Sequence, residues 1–134
     1  MREILFRGKG DKKYNDGVWY FGVPIRCYDG DWQICTNNSK RTVIPETIGQ
    51  YTGLKDKNGT KIFEGDIIYA VSNFDAANMV VVYDPAEFRL VLCEDYKTYK
   101  PGWGFKCLCY ESFYMEVVGN IYDNPELLGG NNNG

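Results

Sequence analysis

The chain has 134 residues, the length of one typical domain with room for a sizeable core. Its apolar content of 44% excludes a disordered chain, and an aromatic share of 16% with 15 Gly against 5 Pro leans towards a β-rich fold, because aromatic rings suit pleated strands and glycine suits tight turns. The net charge of −3 is unevenly spread: residues 1–61 hold 11 Lys or Arg against 7 Asp or Glu, and residues 62–134 hold 4 against 11. A basic half could serve an anionic partner, whereas interleaved strands would mix the halves and leave no patch.

Taken in order, Ile4 to Gly8 reads as a short strand and Lys9 to Gly17 as a polar loop. Val18 to Tyr28 reads as a long strand, with Gly22 and Pro24 implying a bulge or an edge position. Asp29-Gly30 signals a two-residue hairpin turn of the type that needs positive φ at both positions. The return strand is Asp31 to Thr36, where Trp32 and Ile34 alternate with Gln33 and Cys35. After a turn at Asn37 to Lys40, a further strand covers Arg41 to Ile44.

Pro45-Glu46-Thr47 could start a helical turn, and Ile48 to Gly53 leads into a strand or a docked loop. Asn58-Gly59 is the clearest turn, a second primed-turn candidate that brings Leu54 and Ile62 near one another. Glu64-Gly65-Asp66 adds a turn or bulge before a strand at Ile67 to Val71. Residues 73–78 form a small polar loop that could hold a short helix. Met79 to Tyr83 and Phe88 to Cys93 make a second hairpin about Asp84 to Glu87. Glu94 to Gly104 reads as a long surface loop. Strands follow at Phe105 to Tyr110 and Tyr114 to Tyr122, and Glu116 to Ile121 of the latter could close the sheet near its start. Asp123 to Leu128 reads as a capped helical turn with Pro125 in its first position. Residues 129–134, GGNNNG, are expected to be a disordered tail behind a single β domain over 1–128. The many short strands favour a mainly β fold, a small antiparallel barrel or roll with extra hairpins and one or two short helical turns.

Catalytic signatures are missing. With no histidine, the usual general base and any His-dependent zinc site or triad fall away. Five cysteines, Cys27, Cys35, Cys93, Cys107 and Cys109, lack disulfide-framework spacing and no secretory segment precedes them, so free thiols in a reducing cytoplasm are expected. Cys107-x-Cys109 could offer two thiolates to a metal, but small buried hydrophobes is the simpler reading. Glu64 with Asp66, and Glu94 with Asp95, are the nearest approach to a carboxylate pair for metal-dependent hydrolysis; an Asp beside a turn glycine more often satisfies its own backbone. No phosphate-cradling glycine loop occurs. No cofactor and no enzymatic activity are therefore expected. Apolar runs such as Met79 to Tyr83 are far short of the roughly 20 residues that cross a bilayer, so no membrane role is expected.

Two aromatic groups remain as candidate interaction residues: Trp19-Tyr20-Phe21, with Arg41 among the basic residues of the same half of the chain, and Tyr96, Tyr99 and Trp103 in the long loop. Aromatics beside a basic groove could stack single-stranded bases, although the acidic pI near 5.0 disfavours a generic nucleic-acid binder. Protein interaction is the leading expectation and a nucleic-acid-binding accessory role the alternative.

Several blocks taken together resemble the YopX family of phage and prophage proteins. They are Arg2 to Lys9, Trp19 to Gly22, Pro45 to Gly59, Ile62 to Ile68 and Glu116 to Leu128. The resemblance implies an SH3-like barrel or roll within a mainly β fold, in a phage or prophage protein acting in the bacterial cytoplasm; the partner expected for an aromatic-rich β domain without a catalytic set is then a phage or host protein. It implies no activity and no catalytic residues. Its signature positions, Gly49, Gly53, Asn58, Gly59, Gly65, Asp66, Gly119 and Pro125, are expected to be structural, with the glycines from Gly49 to Gly65 punctuating hairpins.

Overall fold

In the computed structural model, which describes residues 3–13, 17–71, 76–84, 87–100, 106–107 and 114–129, the short alternating runs become antiparallel strands. The chain divides into two units, Met1–Gly53 and Leu54–Gly134.

The first unit contains β1 (Phe6–Lys9), β2 (Trp19–Arg26), β3 (Trp32–Cys35), β4 (Lys40–Val43), a 3-10 turn at Pro45–Thr47, and the start of β5 (Gly49–Lys55). The strands lie in the order β4-β3-β2-β1-β5. β2 serves two neighbours in turn: Trp19 to Gly22 pair with β1, and Val23 to Arg26 pair with β3. Pro24 falls where the β1 ladder has already ended, so its missing N–H costs no bond on that side. Beyond β1, Gly10 bridges Val43 on β4, and the Ile44 N–H donates to the Lys9 carbonyl at 2.8 Å. The sheet therefore curls until its β1 and β4 ends meet. Because that meeting is one bridge and not a ladder, the result is a roll rather than the closed barrel that was the other expectation.

Inside the curl, Ile34 and Val43 are fully buried. Gly8 and Gly22 share their face and leave no room for a side chain. A Cβ on Gly8 would lie 3.0 Å from Val43 Cγ2, and one on Gly22 would collide with the Cys35 carbonyl oxygen. Gly22 is therefore a close-approach glycine in a strand interior, where glycine otherwise weakens the strand.

Both primed-turn expectations are corrected. No non-glycine residue among those described has positive φ, whereas Gly30 and Gly59 have φ of 93° and 84°. In the first loop Gly30 N–H donates to the Cys27 carbonyl at 3.0 Å and Cys27 N–H to the Asp31 carbonyl at 2.8 Å. In the second, Gly59 N–H donates to the Asp56 carbonyl at 3.0 Å and Asp56 N–H to the Thr60 carbonyl at 2.8 Å. Each is a three-residue loop in which an ordinary turn is followed by one left-handed glycine. In the second loop the Asp56 carboxylate, at the first turn position, accepts the Asn58 and Thr60 N–H groups and holds the ordinary turn; in the first, Asp29 accepts the Asp31 N–H across Gly30, and in each loop only the glycine supplies positive φ.

In the second unit the end of β5 turns back into β6 (Lys61–Phe63), followed by β7 (Asp66–Val71), β8 (Ala76–Asp84), β9 (Glu87–Leu92), a 3-10 helix at Cys93–Thr98, β10 (Lys106–Cys107), β11 (Tyr114–Asn120) and a 3-10 helix at Pro125–Gly129. A five-stranded sheet has the order β10-β9-β8-β7-β11. Its central strands are buried on both faces. Ile68, Met79, Val81 and Leu90 join Ile62, Phe88 and Met115 on one side, while Ile67 and Val80 join Cys93 and Leu128 on the other. Two-sided burial explains why Met79 to Val82 is continuously apolar instead of alternating.

Four expectations change here. Cys93–Thr98 form a 3-10 helix, against the expectation that Cys93 ends a strand and residues 94–98 are loop. Ala76 to Asn78 belong to β8 and not to a polar loop or short helix; residues 72–75 lie outside the described residues. Tyr114 to Asn120 pair with β7. Gly49 and Gly53 lie within β5 and do not punctuate a hairpin, Gly53 having φ of 92° there. The helical turn at Pro125 is present. The turn residues 85–86, Trp103, Cys109 and the tail 130–134 lie outside the described residues.

Candidate interaction surface

The register of the first unit sorts its side chains into two faces. Phe6, Gly8, Tyr20, Gly22, Pro24, Ile34, Arg41 and Val43 share the inward parity. The opposite parity places Trp19, Phe21, Val23 and Ile25 of β2 on the other face, beside Arg7 and Lys9 of β1, Gln33 and Cys35 of β3, and Lys40 and Thr42 of β4. Three successive outward residues of β2 are large, apolar and open to solvent: Phe21 is 46% exposed, Val23 57% and Ile25 45%. The outward face of a sheet ordinarily carries polar residues, so a continuous apolar ridge is informative where a single exposed apolar residue would not be. Extended geometry gives the ridge a length of about 13 Å.

The charged residues assigned to that face are Arg7, Lys9 and Lys40, all basic. Arg7 is buried, and its guanidinium carbon stands 4.5 Å over the Trp19 ring. Arg41, which has the inward parity, is exposed, and its guanidinium carbon stands 5.8 Å over Tyr20. Trp19 and Arg41 thus belong to opposite faces of the sheet. In both cases an arginine of the same chain lies over a ring that a base would need for stacking.

The other candidates lie in the second unit. Tyr96, in the 3-10 helix Cys93–Thr98, is half-buried against the cluster of Ile67, Val80, Cys93 and Leu128. Burial raises its hydroxyl pKa, and the Glu64 charge adds to the rise. Tyr99 is half-buried at the end of that helix, its N–H donating to the Tyr96 carbonyl at 3.2 Å. A shallow cavity of about 380 Å³ lies nearby, lined by Ala77, Leu92, Cys93, Leu127 and the two carboxylates Glu94 and Glu126. Burial pushes the Cys93 thiol up to about 11.

The signature residues make turns and close approaches. Asp66 is buried and its carboxylate accepts the Phe63 N–H at 2.7 Å across the Glu64-Gly65 turn. A Cβ on Gly119 would meet the Asn124 side chain, whose oxygen accepts the Asn120 N–H at 3.1 Å. Asp56, which the residue pattern did not single out, is the busiest of them. Its Oδ1 accepts from Asn58 and Thr60 at 2.8 and 2.9 Å, and its Oδ2 from the Val117 N–H of β11 at 2.9 Å. Lys57 N–H adds a bond to the Met115 carbonyl at 3.0 Å. The loop 56–60 thereby caps the outer edge of β11, which would otherwise offer unpaired backbone groups. Lys57 Nζ donates to the Tyr114 hydroxyl at 2.7 Å and lies 3.9 Å from Glu116; the Tyr114 bond is the main cause that raises the lysine pKa. Among the described residues no three Cys, Asp or Glu side chains converge as metal ligands would.

These observations define a mainly β protein whose most distinctive surface is an apolar ridge with basic neighbours. The chain belongs to the YopX protein family, whose model matches residues 9–129. Its fold is similar to the crystal structure of protein EF1440 from Enterococcus faecalis, with a TM-score of 0.54 and 22% identity over 96% of this chain and 99% of that one. No curated protein matches the chain.

Proposed function

We propose that this is a non-enzymatic β module of a phage or prophage protein that works in the bacterial cytoplasm by binding another protein, and that β2 carries the binding face. The observation that carries the reading is the exposure of Phe21, Val23 and Ile25 in one row on a central strand. A sheet face of this kind loses free energy to water, roughly 25 cal/mol for each Å² of apolar surface, unless something covers it. Cys27, Cys35 and Cys93 are free thiols, which fits a reducing compartment. No helix among the described residues is long and apolar enough to cross a membrane. The order β4-β3-β2-β1-β5, with a 3-10 turn before the last strand, supports an SH3-like reading of the first unit.

The test is affinity capture of the tagged chain from its native cells, with and without nuclease, beside a variant carrying Phe21→Ser, Val23→Ser and Ile25→Ser. A protein held by the parent chain after nuclease treatment and released from the variant is the expected result. Loss of all captured material on nuclease treatment would instead support the nucleic-acid alternative. Equal capture by both chains would remove the ridge from the reading.

A further inference from the structure

We infer that the occupant of the β2 ridge is an acidic, apolar segment of another protein, its apolar side chains seated on Phe21, Val23 and Ile25 and its carboxylates directed to the basic residues beside them. This rests on the interaction reading above and adds the chemistry of the partner. The ridge supplies the apolar half of the recognition. The electrostatic half follows from the register: Cys35 stands opposite Val23, and Lys40 opposite Cys35, so the exposed Lys40 shares the ridge face two strands away. At roughly 4.8 Å between strands its Cα lies about 10 Å from that of Val23, within reach of a segment laid along β2. At the other end of the ridge Lys9 stands opposite Trp19 and Arg7 opposite Phe21. Among the described residues, every charge that the register of β1 to β4 places on this face is positive.

That pattern separates the possible occupants. A second copy of the chain meeting face to face would bring the Lys40 and Lys9 charges of one copy towards the same positive set on the other, and like charges brought together at an interface oppose association. A nucleic acid would match the charge, but its bases would find aliphatic Val23 and Ile25 in place of stacking platforms, with Arg7 already over Trp19. A protein segment with both apolar and acidic side chains satisfies the two halves together.

The experiment places a photoreactive side chain on the ridge, Val23→p-benzoylphenylalanine, in the full chain within its native cells, and sequences whatever becomes crosslinked on irradiation. The expected product is a peptide of another protein with net negative charge and several large apolar residues. Its yield should fall at least fivefold with Lys40→Glu and less with Lys40→Ala, both variants being checked for native circular dichroism. A neutral or basic peptide, or a yield indifferent to Lys40→Glu, would overturn the acidic partner while leaving the interaction reading standing. Crosslinks to a second copy or to nucleic acid would overturn it in favour of those occupants. No crosslink under any condition would overturn the interaction reading itself.

Discussion

Removing the Asp56 carboxylate should cost more than removing any exposed charge of the second unit, because three backbone N–H groups converge on it. In Asp56→Asn the remaining oxygen can keep Asn58 and Thr60, at 2.8 and 2.9 Å in the parent, but the new amide then points its own donors at the Val117 N–H. One charge-assisted bond is lost and one part-buried donor is orphaned, about 2 kcal/mol together. Asp56→Ala orphans all three; water can reach Asn58 and Thr60 in their exposed loop, so the cost rises only to about 3 kcal/mol. The cost is read from the urea midpoint at unchanged slope, followed by intrinsic fluorescence. The dependence on pH gives a second reading of the same bond set. Burial raises the Asp56 pKa, but the backbone bonds from Val117, Thr60 and Asn58 and the Lys57 charge outweigh it, and the net position is below the ordinary 3.8. A carboxyl with a depressed folded-state pKa contributes stability above its unfolded value and loses it as pH falls through the folded one. The gap between the parent chain and Asp56→Asn should therefore be full at pH 6 and shrink once the pH drops below 3.8. A loss under about 0.5 kcal/mol for Asp56→Ala, or a gap that does not change in acid, would refute this account of the loop.

Gly22→Ala should destabilise the chain by about 2 kcal/mol or more, because the added Cβ meets the Cys35 backbone, which cannot yield as a side chain can. Gly30→Ala meets nothing within 4 Å and should cost only the left-handed backbone, about 1 kcal/mol; thermal melts of the two variants decide the order. Cys93, with its thiol pushed up to about 11, should be alkylated by iodoacetamide at pH 8 far more slowly than in urea, whereas Cys27 and Cys35 are half-exposed and should react first, as peptide mass spectrometry would register. Gly119→Ala should displace the Asn124 side chain and weaken the helical turn at Pro125–Gly129, seen as faster amide exchange at Asn120.

Much of the strand pattern was legible because turn residues punctuate it. Asn58-Gly59 and Asp29-Gly30 marked the hairpins correctly and their geometry incorrectly, since an aspartate side chain in each loop accepts backbone N–H groups and the dipeptide rule considers only the backbone. The 3-10 helix Cys93–Thr98 spans six residues, too few for a period to declare itself against a polar loop. The ridge was hidden for a different reason. Both parities of β2 carry apolar or aromatic residues, so alternation names two faces without saying which is inside. Gly22 held the clue: a strand-interior glycine marks the side where another backbone comes close, and here that side is the interior with Ile34. Its odd-numbered neighbours must then face out. Asp56 went unnoticed because its most consequential partner, Val117, is 61 residues away in sequence.

The most direct measurement is calorimetric titration of the crosslinked partner segment into the parent chain, the Phe21→Ser, Val23→Ser, Ile25→Ser variant, and a control with Val118→Ser. Val118 is likewise exposed and apolar, at the bulge of β11 and off the ridge. Three truncated contacts at about 1 kcal/mol or more each predict a loss of affinity exceeding about 100-fold for the ridge variant. The control should stay within about threefold of the parent. Equal losses in the two variants, or an unchanged affinity in the ridge variant, would contradict the claim that β2 is where this protein meets its partner.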